Sequence, residues 1–213
     1  MKIDLHVHSC YSYDGVGHPR DIIKWARLRG MDGICITEHH SYLSSEPFRQ
    51  WAEESGIVIL RGAEASTLLG HFLIFGVQDD SWNTYRQTGY LDAQRLIDYV
   101  NARGGAVVAA HPFRKEGEYF GGWKIAELRG LAAIEVWNAR CTPEDNQEAE
   151  ELARAMGLPG IGGSDAHAGG CVGMAYTVLR RPAENERQLV ELLKRGECYP
   201  GNELLVHGVS RRS

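Results

Sequence analysis

Asp4-Leu5-His6-Val7-His8-Ser9 is the stretch on whose reading the fold turns. In an extended strand alternate side chains share a face, so His6 and His8 point the same way with Asp4 one step behind them. Two imidazoles on one face are the beginning of a metal site. The bare pattern fits two half-buried histidines on an edge strand equally well, and the choice depends on what the rest of the chain brings beside it.

The chain has 213 residues, of which 43% are apolar and 24% charged. That suits one domain spanning residues 1–213, with a core that needs neither disulfides nor structural metal. A formal charge of −5 argues against an extended nucleic-acid surface or a membrane surface, while leaving room for a local basic patch around an anionic substrate. Apolar runs stay below transmembrane length and Met1 leads straight into a strand-like segment, so the expectation is a cytoplasmic protein. Five widely spaced cysteines without a Cys-x-x-Cys pair read as reduced thiols.

From Lys2–Val7 outward, strand-like and helix-like segments alternate. Pro19 opens a helix to about Arg29, Gly33–Thr37 is an apolar strand closing on Glu38-His39-His40, and Ser45–Glu54 reads as a helix. Ile57–Leu60 rises to Glu64. His71–Val77 begins rather than ends with its polar residue. Gln78–Tyr90 reads as a long loop, Leu91–Arg103 as a helix, and Ala106–Ala110 as a buried strand delivering His111. A loop over Phe113–Trp123 is expected to lie over the site. Ala132–Trp137 is a strand, Pro143–Met156 a helix, and Pro159–Gly163 leads to Asp165 and His167. Gly173–Leu179 and Glu186–Lys194 read as a last strand and helix, and the tail from Gly196 carries no signal. Short strands buried on both faces and separated by helices fit a parallel α/β barrel or a doubly wound sheet.

The polar residues discriminate. His6, His8, His39, Glu64, His111, Asp165 and His167 fall at or just past strand ends, where ligands bind in parallel α/β folds, and a closed barrel brings all of those ends around one mouth. Imidazoles with carboxylates suit Zn, Mn or Fe, and a carboxylate can bridge two ions. With Asp14, Glu64 and Asp165 ionised, three divalent ions leave a surplus of about +3 and two ions held by Glu64 and Asp165 about +2, which attracts a phosphate dianion. Activated water then attacks phosphorus.

Asp4 through Ser9, Asp14-Gly15, Thr37-Glu38-His39-His40, Gly62-Ala63-Glu64, His111-Pro112 and Gly163-Ser164-Asp165-Ala166-His167 resemble the ordered motifs of the PHP (polymerase and histidinol phosphatase) superfamily. The resemblance covers about residues 1–180. It implies a distorted seven-stranded (β/α)7 TIM-like barrel with a two- or three-metal phosphoesterase site at the C-terminal ends of the strands. By that resemblance His6, His8, Glu64 and Asp165 hold a first ion, Glu64, His111 and His71 a second, and Asp14, His39 and His167 a third. Glu38 stands where many relatives carry Asp, and on the opposite face from His39 it is not a ligand.

Around these ligands Asp4 reads as a residue orienting an imidazole, whereas Glu135 and Asn138 fit either the pocket or loop backbone groups. Arg114 and Arg140 are candidates to grip substrate phosphate, the alternative being solvated surface arginines. His40 is near enough to the mouth to contact substrate or donate a proton; His18 and His207 have no motif behind them. The expectation is a hydrolase of phosphate esters, its substrate a small phosphomonoester, a nucleotide or a short nucleic-acid end. A rival is an amidohydrolase-like C–N hydrolase, which commonly needs a bridging lysine; Lys2, Lys24, Lys115, Lys124 and Lys194 do not end a predicted central strand. A second rival is a metal-binding regulatory module without turnover.

Overall fold

The computed structural model describes residues 1–85, 90–115 and 120–202. In chain order the elements are β1 (Lys2–Val7), α1 (Pro19–Leu28), β2 (Gly33–His39), α2 (Arg49–Ser55), β3 (Val58–Thr67), β4 (Gly70–Phe75), α3 (Ala93–Ala102), β5 (Ala106–Ala109), β6 (Ala133–Asn138), α4 (Pro143–Met156), β7 (Gly160–Gly163), β8 (Ala175–Leu179), α5 (Glu186–Lys194) and β9 (Cys198–Asn202). From Ile3 onward every residue of β1 is buried, which requires cover on both faces of the sheet. The strands form one sheet in the order β7-β6-β5-β4-β3-β2-β1-β8-β9.

That sheet curls into a nearly closed barrel. Its two arms meet where β7 runs into β1: Ala166 bridges Val7 and its carbonyl accepts the His8 N–H at 2.8 Å, while the Thr177 hydroxyl donates to the Gly162 carbonyl at 2.7 Å. Glycine makes this approach possible, since a Cβ at Gly162 would lie 2.4 Å from the Tyr176 carbonyl oxygen.

The strand number departs from the seven that the resemblance implies: nine strands occur among the described residues. One addition is β9, which lies in the tail that carried no signal in sequence and contains Pro200 and Gly201. Among the described residues it pairs with β8 alone, at the sheet's edge, where a missing N–H is tolerated. The alternation of strand and α-helix also fails between β3 and β4, between β5 and β6, and between β7 and β8. β4 follows β3 through a hairpin and lies antiparallel to both β3 and β5, so its first residues sit at the end where its neighbours finish. This explains why His71 opens its strand. The segment expected as one helix from Ser45 is a 3-10 turn, Leu43–Phe48, containing Pro47, followed by α2. Gln78–Tyr90 contains a 3-10 turn at Ser81–Tyr85, and its residues 86–89 lie outside the described set, as do 116–119 of the expected covering loop and His207. His18 caps α1, its ring accepting the Arg20 N–H.

The helices cover the sheet with the faces their periodicity predicts. Leu96, Ile97 and Val100 of α3 share a cluster with Ile134 of β6 and Leu152 of α4, and Leu189, Val190 and Leu193 of α5 join Leu5, Leu73 and Val108 in another. All five cysteines are unpaired thiols. Among the described residues no helix is long and apolar enough to cross a membrane. α4 starts with a complete capping box: the Thr142 hydroxyl accepts the Asp145 N–H at 3.1 Å and the Asp145 carboxylate accepts the Thr142 N–H at 3.2 Å. Thr142→Ala is expected to lower stability by about 1 kcal/mol in urea unfolding.

Candidate metal centre

Glu64, near the end of β3, is the hub of the mouth. Its buried carboxylate lies 3.3 Å from His6 Nε2, 3.2 Å from His8 Nε2, 3.0 Å from His39 Nδ1, and 3.1 Å from both His71 Nδ1 and His111 Nε2. Strand geometry explains the convergence. His6 and His8 come from β1 and the residue after it, His39 pairs with Glu64 across β2 and β3, and His71 arrives from the reversed β4. Asp165, just beyond β7, adds a carboxylate oxygen 3.6 Å from His6 Nε2 and 3.5 Å from His8 Nε2.

Outside this group, Asp14 Oδ2 accepts hydrogen bonds from His39 Nε2 at 3.2 Å and His167 Nε2 at 3.1 Å. All nine residues carried over as ligands are therefore brought to one place. His6-His8-Glu64, Glu64-His71-His111 and His8-His39-His167 each converge closely enough for one ion.

The donor set fits metal. Glu135 Oε1 accepts from His6 Nδ1 at 3.0 Å, so the other ring nitrogen of His6 faces the centre. There it meets His8 Nε2 at 3.1 Å together with the Glu64 and Asp165 carboxylates. Such an arrangement calls for positive charge, a proton or a metal ion, between the groups. The ionisation equilibria say the same. Burial opposes ionisation of Glu64 and Asp165, but the surrounding imidazoles, His6 foremost, outweigh it and hold both carboxyls well below the usual range. Burial likewise opposes charging of His8, yet the hydrogen bonds that it donates to Asp165 and Glu64 raise its pKa to about 9.

Glu135 and Asn138, undecided in sequence, both reach the pocket. Besides His6, Glu135 accepts the His111 N–H at 2.9 Å and an Asn138 side-chain N–H at 3.0 Å. The expectation for Asp4 is corrected. It is buried and its carboxylate accepts backbone N–H groups of Ser164 at 3.0 Å, Gly173 at 2.8 Å and His6 at 3.2 Å, so it fixes the barrel seam rather than an imidazole. Burial pushes its pKa up to about 6. Glu38 is held by hydroxyls of the first loop. It accepts from the Ser9 and Ser12 hydroxyls, and Ser12 in turn accepts the His39 N–H at 3.2 Å. No sequence signal marked Ser12.

Neither arginine is simply solvated. Arg114 is hydrogen-bonded to Asp165 and lies 3.2 Å from His111 Nε2, while Arg140 Nη1 lies 2.9 Å from His167 Nδ1 and 3.7 Å from Asp165. His40 stands beside His39, with ring centroids 5.8 Å apart, and its N–H donates to the Glu64 carbonyl at 2.8 Å.

Backbone turns aim several of these side chains. His40, His111 and Asp165 have positive φ, at 60°, 27° and 53°, each within two residues of a strand end. His and Asp are among the few residues besides glycine and Asn that enter this region readily.

A family model described as the PHP domain matches residues 4–115, and one described as PHP-associated matches residues 143–198. The chain belongs to the PHP family. Membership puts it in a metal-dependent phosphoesterase family. Among relatives, an uncharacterized protein of Methanocaldococcus jannaschii is 28% identical over 149 residues, covering 65% of this chain and 82% of that protein. An error-prone DNA polymerase of Symbiobacterium thermophilum is 36% identical over 96 residues, 45% of this chain but 8% of the polymerase. Among solved structures, a two-domain protein of Bacteroides vulgatus containing a predicted PHP-like metal-dependent phosphoesterase superposes with a TM-score of 0.72 at 21% identity, covering 95% of this chain and 64% of that one. An amidohydrolase from Chromobacterium violaceum, with bound sulfate and no metal, superposes at 0.64 with 20% identity, covering 96% and 100%. These two likenesses show the shared fold.

Proposed function

We propose that this PHP chain hydrolyses phosphate monoesters or the phosphate end of a nucleotide or short oligonucleotide, using two or three divalent ions. The observation that carries the reading is the Glu64 carboxylate, held at 3.0–3.3 Å by imidazoles of five histidines. In this reading His6, His8, Glu64 and Asp165 hold one ion, Glu64, His71 and His111 a second, and Asp14, His39 and His167 a third. When bound, the ions supply Lewis acidity toward phosphate oxygens and an acidified water. The protein's own groups do the rest. Glu135 fixes the tautomer of His6, Arg114 and Arg140 present guanidinium forks to phosphate oxygens, and His40 stands at the rim to pass a proton to the leaving oxygen.

The C–N hydrolase reading shares the barrel but lacks its lysine: all five lysines are exposed, away from the buried centre. Loading the protein with Mn, Fe or Zn and assaying phosphomonoesters, phosphodiesters, short oligonucleotides and a panel of amides separates the two. Turnover of a phosphate ester with none of any amide is expected; amide turnover alone overturns the proposal.

Metal loading is also expected to expel protons. His8, raised to about 9, carries a proton at pH 7 that an ion must displace, so affinity climbs as pH rises toward 9 and falls in acid. Calorimetry at pH 7 in buffers of different ionisation enthalpy is expected to show about one proton or more released per protein.

A further inference from the structure

Exposure falls steeply into the centre. The side chains of His6 and His8 are fully buried and those of Glu64 and Asp165 1% exposed, whereas His167 is 19% and Asp14 35% exposed. His71 is also partly open, at 24%, but Asp14 is the most exposed of these groups, so a ligand can enter past Asp14 and His167, where two side chains stand. One is Arg140, against His167. The other is Tyr13, a residue the function does not yet use: it is 80% exposed, and its ring lies over that of His39 with centroids 5.1 Å apart and planes at 28°.

Tyr13 is exposed, but its neighbours in the chain are anchored. Ser12 is tied to Glu38 and to the His39 N–H, and Asp14 to His39 and His167. A large aromatic surface set at the entrance by fixed neighbours is a stacking platform whose ordering cost is met in advance.

We propose that Tyr13 is a specificity residue that stacks the planar part of an aryl or nucleoside phosphate whose phosphate group lies at the centre beside Arg140. The inference rests on the phosphoesterase reading and narrows it to esters carrying an aromatic ring or nucleobase. Arg140 and Tyr13 flank the neighbouring rings of His167 and His39, whose centroids are 5.9 Å apart, so one small molecule can meet both. Ring stacking of this kind tolerates any base, since every base has a π-face.

The test compares AMP with glycerol 2-phosphate as substrates, and AMP with inorganic phosphate as ligands in calorimetry, using the metal-loaded protein. Wild type is expected to favour AMP in both. Tyr13→Ala is expected to erase roughly tenfold of that preference in KM and in Kd, and Tyr13→Trp to restore it. Equal shifts for AMP and its comparators, or no rescue by Trp, overturn the stacking role. If the protein turns over neither ester yet binds AMP above phosphate in a Tyr13-dependent way, the stacking role stands and the hydrolase reading falls. Hydrolysis indifferent to Tyr13 overturns the stacking role and leaves the hydrolase reading in place.

Discussion

Asp165→Ala is expected to empty the centre and abolish turnover while leaving a folded barrel. Asp165 is 1% exposed, lies within 3.6 Å of His6 Nε2 and His8 Nε2, and is hydrogen-bonded to Arg114. Removing one partner from a buried group of charges costs about 3–5 kcal/mol. At roughly 1.4 kcal/mol per tenfold, that is two to three and a half powers of ten in metal affinity if the loss falls on the bound state. His8→Ala is expected to act alike, since it deletes a donor pointing at the same ion. Metal content by elemental analysis after gel filtration, read beside the circular dichroism spectrum, checks both variants. A folded variant that keeps stoichiometric metal refutes the ligand assignment.

The second large effect belongs to a residue that touches no ion in our reading. In Glu135→Gln the atom that accepts from His111 N and Asn138 Nδ2 must remain an oxygen, so the amide nitrogen is turned toward His6 Nδ1. That nitrogen then donates instead of accepting, His6 must carry its proton on Nε2, and the proton occupies the position a metal needs. Metal affinity is expected to fall about 10- to 100-fold, as for other groups that orient a ligating histidine. A chelator competition titration gives the magnitude, and the nitrogen chemical shifts of His6 show the tautomer. Unchanged affinity with the proton still on Nδ1 refutes the account.

What the sequence made legible follows the geometry of strands. Period-two alternation puts His6 and His8 on one face, and strand ends carry His39, Glu64 and His111, so local pattern sufficed to bring these residues to one end of the sheet. Asp4 shares that face, yet its partners, Ser164 and Gly173, come from the far end of the chain across the barrel seam, and no local pattern contains them. Glu135 stayed undecided for the same reason, its partner His6 being 129 residues away. His71 gave a usable signal in its position at the front of a strand, which is the mark of a reversed one. β9 was illegible because Pro and Gly both weaken a strand pattern, and a sheet tolerates Pro200 here by placing it on an edge, which only the tertiary structure reveals.

The left-handed turns at His111 and Asp165 carry one more consequence. Asn occupies that backbone region as comfortably as His or Asp does, so His111→Asn and Asp165→Asn preserve the path of the chain while weakening or deleting a donor. Each is reachable by changing a single nucleotide in the codon. A duplicate gene released from selection can therefore lose its chemistry in one step and keep its architecture, leaving an intact barrel free to be recruited as a scaffold.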